Sequence, residues 1–213
     1  MFSGRRGFLL ILVLAATCFA APRTHTVALG RWQTVAITSD SAQPQPVKVR
    51  SLLVDDHFKE YTTGPLHQVT ERLFVIRKVY RLNDSLPEDK DRSARWIWRL
   101  GGWVSVDRAS GHVAQLNLPA FDPDISQASW YRDYSAYCGT SDDGAKFFMI
   151  VAQLGKRKLV LKREYAGPVC GLPKWERQPS RVTFVGAGDK ASFVVHAHGA
   201  DLQPDAGEEE GPQ

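Results

Sequence analysis

The sequence predicts an all-β protein: one antiparallel β-sandwich or barrel-like domain of about ten strands. Three observations carry this expectation. Apolar residues alternate with polar ones at period two along most of the chain, as in strands with one buried face. Turn signals built from Gly, Asp, Asn, Ser and Pro recur about every 8–12 residues, a spacing typical of sandwiches and barrels. No amphipathic helical pattern continues beyond two turns.

Val27 to Thr38 alternates loosely around Gly30, and the Pro-, Gln- and Ser-rich stretch Ser39–Pro46 reads as a connection. Val47 to Val54 is a second extended run. Phe58 to Thr63 is a third, stopped by Gly64-Pro65. Leu73 to Leu82 is a strong strand with Phe74, Ile76, Tyr80 and Leu82 on one face. Asn83 to Ser93 is polar and reads as a loop, with one helical turn after Pro87. Arg95 to Asp107 reads as a hairpin. Gly101-Gly102 would be its two-residue connection, because both glycines tolerate positive φ. In that hairpin Leu100 faces Trp103, Trp98 faces Ser105 and Trp96 faces Asp107.

Asp107–Gly111 follows as a turn, with Asp capping it and Gly in the left-handed position. Val113 to Leu118 is the returning strand, and Phe121 to Ser129 is a loop. Residues 131–138, 146–154 and 159–165 form a three-strand meander with turns at Thr140–Gly144 and Gly155–Lys158. Val182–Val185, the turn Gly186–Asp189 and Ala191–His198 complete the domain, which spans residues 21–200. Residues 201–213 are rich in Pro, Gly and Glu and predict a disordered tail. Ser141-Asp142-Asp143-Gly144 and the Asp107–Gly111 turn resemble the hairpins of β-propeller blades. A small propeller-like meander is therefore the alternative fold. The resemblance covers a minor part of the chain, and no internal repeat at blade spacing accompanies it.

Residues 1–20 read as an export signal. Arg5 and Arg6 supply positive charge, the stretch to Thr17 is apolar, and Cys18-Phe19-Ala20 leads to a cleavage point after Ala20. The apolar stretch falls short of the roughly 20 residues a spanning helix needs, so no transmembrane segment is expected after cleavage. Arg5-Arg6-Gly7-Phe8-Leu9 resembles a twin-arginine signal, although the short charged region suits the general secretory route better. The expected location is periplasmic or extracellular. Removing this segment leaves 25 Lys+Arg against 23 Asp+Glu, and the five acids of the tail leave the body at +7. A basic body attracts anionic surfaces. Cys138 and Cys170 then remain, and in an oxidising compartment they are expected to pair. Cys138 closes the first meander strand, and the extension past the third can cross back to it.

Four sets of residues are candidates for function. Trp96, Trp98 and Trp103 project from one side of the expected hairpin; their flat rings suit sugars, unless a second layer covers them. Arg77, Arg81 and Arg99, if Leu73–Leu82 pairs with the hairpin, supply forks for carboxylates or phosphates. His196 and His198 share a strand face and could reach one metal, with His25, His112 or an acid as further ligands. Asp55-Asp56-His57, Asp122/Asp124 and Asp142/Asp143 offer paired carboxylates for hydrolysis, although Asp is equally favoured in turns. No Gly-x-Ser-x-Gly, His-Glu-x-x-His or Walker loop is present. The expectation is a non-enzymatic exported protein, without a cofactor, that binds an envelope polymer, glycan or protein and no nucleic acid. A hydrolase of a polysaccharide or ester using Asp and His residues, and a metal carrier through His196 and His198, are the alternatives.

Overall fold

A computed structural model describes residues 25–39, 42–85, 94–167, 170–186, 190–197 and 199–203. The expected export signal, the helical turn after Pro87 and His198 lie outside these residues, as does the chain beyond Gln203. The regular elements within them are all strands. They are β1 (Val27–Leu29), β2 (Gln33–Ser39), β3 (Ala42–Val54), β4 (His57–Gln68), β5 (Leu73–Asn83), β6 (Trp96–Asp107), β7 (Val113–Leu116) and β8 (Ser129–Tyr131). Then come β9 (Tyr134–Thr140), β10 (Phe147–Gln153), β11 (Leu161–Tyr165), β12 (Lys174–Glu176), β13 (Arg181–Val185), β14 (Lys190–His196) and β15 (Gly199–Gln203). The protein is thus all-β. The strand count exceeds the expected ten partly because short strands such as β1, β8, β12 and β15 show too few residues to reveal a period.

The first seven strands form one sheet in the order β1-β3-β2-β6-β5-β4, with β3 also paired to β4 and β7 paired to β6. The pairings β2–β3–β4–β5–β6 therefore form a closed circuit. Consecutive strands in it are antiparallel, and five is odd, so β2 and β6 run the same way when they meet. That is why the sheet is mixed: Ile37 on β2 pairs with Trp98 on β6 in parallel. Closing the sheet removes most of its free edges.

Three expectations about this half are corrected. The Ser39–Pro46 connection is largely strand, because Ala42–Pro46 pairs with β2 (Ala36 opposite Pro46). Pro can serve there because its missing N–H falls on the side with no second neighbour. Gly64-Pro65 does not stop β4. The chain continues through a bulge between Thr63 and His67, with Gly64 at φ +69°. Most consequentially, Gly101-Gly102 is not a hairpin turn. β6 is one continuous strand along β5, from Leu73 opposite Asp107 to Asn83 opposite Trp96. Neither glycine has positive φ. They form a bulge opposite Lys78, and a Cβ on Gly101 would sit 3.2 Å from the Lys78 carbonyl oxygen.

Apolar clusters lie on both faces of this sheet. Leu52, Phe74, Ile76, Val104 and Val106 form one. Ile37, Val49 and Val79, with Tyr61, Trp98 and Leu100 against them, form the other. The two remaining sheets, β11-β10-β9-β8 and β12-β13-β14-β15, make a small sandwich. Cys138, Met149 and Val151 of the first face Val182, Phe184 and Phe193 of the second. Phe184 and Phe193 meet edge to face at 6.0 Å, a geometry worth about 0.5–1.5 kcal/mol beyond buried area. The other face of β9–β10, with Tyr137 and Ile150, is covered by Leu118, Ala120 and Phe121. The Cys138–Cys170 disulfide is present and ties β9 to the segment entering the last sheet, where Cys170 bridges Gly186. β15 pairs with β14 from Ser192–Gln203 to His196–Gly199, so ordered strand continues past residue 200 into the segment assigned to the tail.

Candidate functional site

The β5–β6 ladder positions the candidate surface. Paired residues project from one face of a sheet, and residues two apart repeat that face. Trp98 opposes Arg81, Leu100 opposes Val79, and Trp103 opposes Arg77. Trp98 and Trp103 are an odd number of residues apart, so a regular strand would send them to opposite faces. The extra residue of the Gly101-Gly102 bulge restores the phase, and the tryptophans share a face as expected. β4 brings Tyr61 opposite Val79, alongside them.

Trp98 meets Tyr61 edge-on with ring centroids 4.9 Å apart, and Tyr61 meets Phe58 at 4.7 Å. The Arg81 guanidinium carbon lies 5.4 Å from the Trp98 ring, 5.6 Å from Trp96 and 5.8 Å from Tyr61. Trp96 is 57 % exposed and Phe58 52 %. Arg81 is exposed too and has no carboxylate partner among the described residues. The result is an exposed aromatic strip around one cation.

Trp103 does not belong to this strip. It is buried at the junction of the first two sheets, edge-on to Trp130 at 5.3 Å, and Trp130 stacks on His67 at 6.0 Å. The other two arginines are also occupied. Arg77 is half-buried and donates from Nη2 to the Pro123 carbonyl at 2.6 Å. Burial pulls its pKa down, and Asp124 partly offsets this. The alternation puts Arg99 beside Tyr80, on the face opposite Trp98 and Arg81, and Arg99 pairs with Asp124 at 2.9 Å. Arg77 and Arg99 thus hold the 121–128 loop, and the expected set of three free arginine forks reduces to Arg81. Beside the strip, Leu100 leads into a cleft of about 310 Å³ lined also by Thr63, Pro65, Arg77 and Trp103.

The carboxylate pairs are committed to turns. Asp55 and Asp56 take φ of 50° and 62°, as a two-residue type I′ connection between β3 and β4 requires. Asp55 also accepts from Thr26 N–H at 2.9 Å and pairs with His25 Nδ1 at 2.7 Å. Those two contacts, the backbone one foremost, hold its carboxyl below the usual range. Asp122 accepts the Asp124 N–H at 2.8 Å. Asp143 accepts the Ser141 hydroxyl, which lowers its pKa with help from the Ala145 N–H. The His25–Asp55 pair joins residues 30 apart, a contact that local sequence patterns do not announce. It is the kind of pair that orients an imidazole beside a nucleophile, but no hydroxyl or thiol hydrogen-bonds to His25 among the described residues. His196 pairs with Asp201 at 3.0 Å. Among the described residues no group of three His, Cys, Asp or Glu side chains is placed to hold a metal.

No family model matches this chain, and no curated protein or solved structure matches it. Among the described residues, no helix is long and apolar enough to cross a membrane.

Proposed function

We propose that this is an exported, non-enzymatic protein that binds an anionic glycan or related polymer of the cell envelope through the strip around Arg81. One observation carries the reading: an exposed guanidinium with no acidic partner among the described residues stands within 6 Å of three aromatic rings. Exposed indole faces stack on sugar rings. Cation–π attraction, about 0.5–1 kcal/mol at exposed sites, orients Arg81 while its N–H fork stays open to a carboxylate or phosphate. The disulfide supports an oxidising compartment.

The test is calorimetric titration of the mature protein with a uronate-bearing polysaccharide and with a neutral one. Arg81→Ala should weaken binding of the acidic polymer roughly tenfold, about 1.4 kcal/mol, and leave the neutral polymer unaffected. Trp96→Ala should weaken both. Unchanged affinity in both variants refutes the assignment.

A further inference from the structure

The β10–β11 connection carries Gly155-Lys156-Arg157-Lys158. As a sequence it has the ordinary job of a charged hairpin tip that keeps a sheet edge soluble. The fold places it over concave surface instead. Gly155 takes φ +76°, and the Lys156 N–H returns to the Gln153 carbonyl at 3.0 Å. Two clefts, of about 430 and 350 Å³, share Gln153, Lys156 and Leu159 as a common wall. Arg157 also lines the larger and Lys158 the smaller.

The larger cleft is built for more than charge. Gln115 and Asn117, from β7 and the segment after it, supply amides on one side. Trp130 also lines it, and the indole N–H of Trp130 is buried without a protein acceptor among the described residues. No Asp or Glu lines either cleft. Lys156, Arg157 and Lys158 are all exposed, and none has an ion-pair partner among the described residues. The nearby acid Asp133 is occupied by the Gln153 amide at 2.7 Å. Three uncompensated cations at the wall of a concave site concentrate positive potential there, and the cleft volume falls within the range of about 300–1,000 Å³ found for small-molecule sites.

We propose that this cleft binds a phosphate-bearing sugar or polyol. Lys156 and Arg157 meet the phosphate, Lys158 adds positive charge from the adjoining smaller cleft, Gln115 and Asn117 meet hydroxyls, and Trp130 lies against the ring. The site is separate from the Arg81 strip and does not depend on it. The same chemistry could arrive as a free sugar phosphate or as the phosphoglycerol headgroup of a lipid.

The full mature protein is titrated with glucose 6-phosphate, glucose and inorganic phosphate, and is sedimented with phosphatidylglycerol or phosphatidylcholine vesicles. Glucose 6-phosphate should bind and glucose should not. The triple variant Lys156→Ala/Arg157→Ala/Lys158→Ala should bind at least roughly tenfold more weakly. It should keep the wild-type melting temperature, since all three side chains are exposed. Asn117→Ala should weaken glucose 6-phosphate but not inorganic phosphate, and Arg81→Ala should bind both as the wild type does. Co-sedimentation with phosphatidylglycerol alone, lost in the triple variant, identifies the lipid headgroup as the source; binding of glucose 6-phosphate without vesicle binding identifies a free sugar phosphate. The proposal is overturned if neither phosphate-bearing probe binds, or if the triple variant binds as well as wild type.

Discussion

Substituting the two adjacent glycines of β6 one at a time tests the bulge that sets the candidate surface. In the fold described above, the two positions are not equivalent. An alanine Cβ at Gly101 would lie 3.2 Å from both the Lys78 carbonyl oxygen and the Lys78 Cγ. The carbonyl belongs to the partner strand and cannot swing aside as a side chain does. Relieving that crowding means shifting one strand against the other, and overpacking of this kind costs about 1–3 kcal/mol. At Gly102 the nearest atom is the Gln115 Nε2 at 3.7 Å, an ordinary contact at the end of a flexible side chain. Its φ is not positive, so Gly102→Ala should be near neutral. It could even stabilise by about 0.4–1 kcal/mol through reduced freedom of the unfolded chain. A two-residue hairpin turn would instead need positive φ at both positions and would penalise both substitutions. The assay is urea unfolding of the chain from Ala21 onward followed by tryptophan fluorescence, with midpoints converted through a common m-value. For a domain of this size the Gly101→Ala loss corresponds to a fall in Tm of about 2–4 °C per kcal/mol. If Gly102→Ala costs as much as Gly101→Ala, the continuous β6 is refuted, together with the placement of Trp98 and Trp103 on one face.

Other consequences can be checked on the same protein. Replacing Cys138 and Cys170 by Ser opens a covalent loop with a sequence separation of 32. Chain-entropy reasoning puts the loss at roughly 3–4 kcal/mol, read as a lower urea midpoint that reduction of the wild type should reproduce. The Asp107 carboxyl is held well below its usual range by Arg72, with Ala109 and Ser110 N–H groups assisting. A depressed folded-state pKa stabilises above the unfolded value of about 3.9, and that contribution disappears as pH falls through the folded value. The Tm gap between wild type and Asp107→Asn should therefore be full at pH 6 and narrow steadily below about pH 4; a gap independent of pH would contradict this. Arg77→Met should loosen the 121–128 loop, because the Pro123 carbonyl loses its donor. Faster amide exchange at Asp124 and Ser126, whose N–H groups bond within that loop, is the expected readout.

Local chemistry along the chain was enough to establish the all-β class, most strand positions, the Asp107 and Gly144 turns and the cysteine pairing. Each of these rests on interactions between near neighbours, or, for the cysteines, on where Cys138 and Cys170 fall along the predicted meander. The shared face of Trp98 and Trp103 was also legible, though through the wrong geometry: a hairpin turn and a one-residue bulge both bring Leu100 and Trp103 into phase. Tertiary structure decided between them, because only the partner strand reveals whether Gly101-Gly102 faces an open end or Lys78. It likewise decided which cations are free. Arg77, Arg81 and Arg99 look alike in sequence, but the returning 121–128 loop takes Arg77 and Arg99 and leaves Arg81 among aromatic rings. The closed circuit of β2 to β6, the His25–Asp55 pair and the cleft beneath Lys156 belong to the same category. Each depends on residues far apart in the chain meeting, and the period of a single strand carries no record of its distant partner.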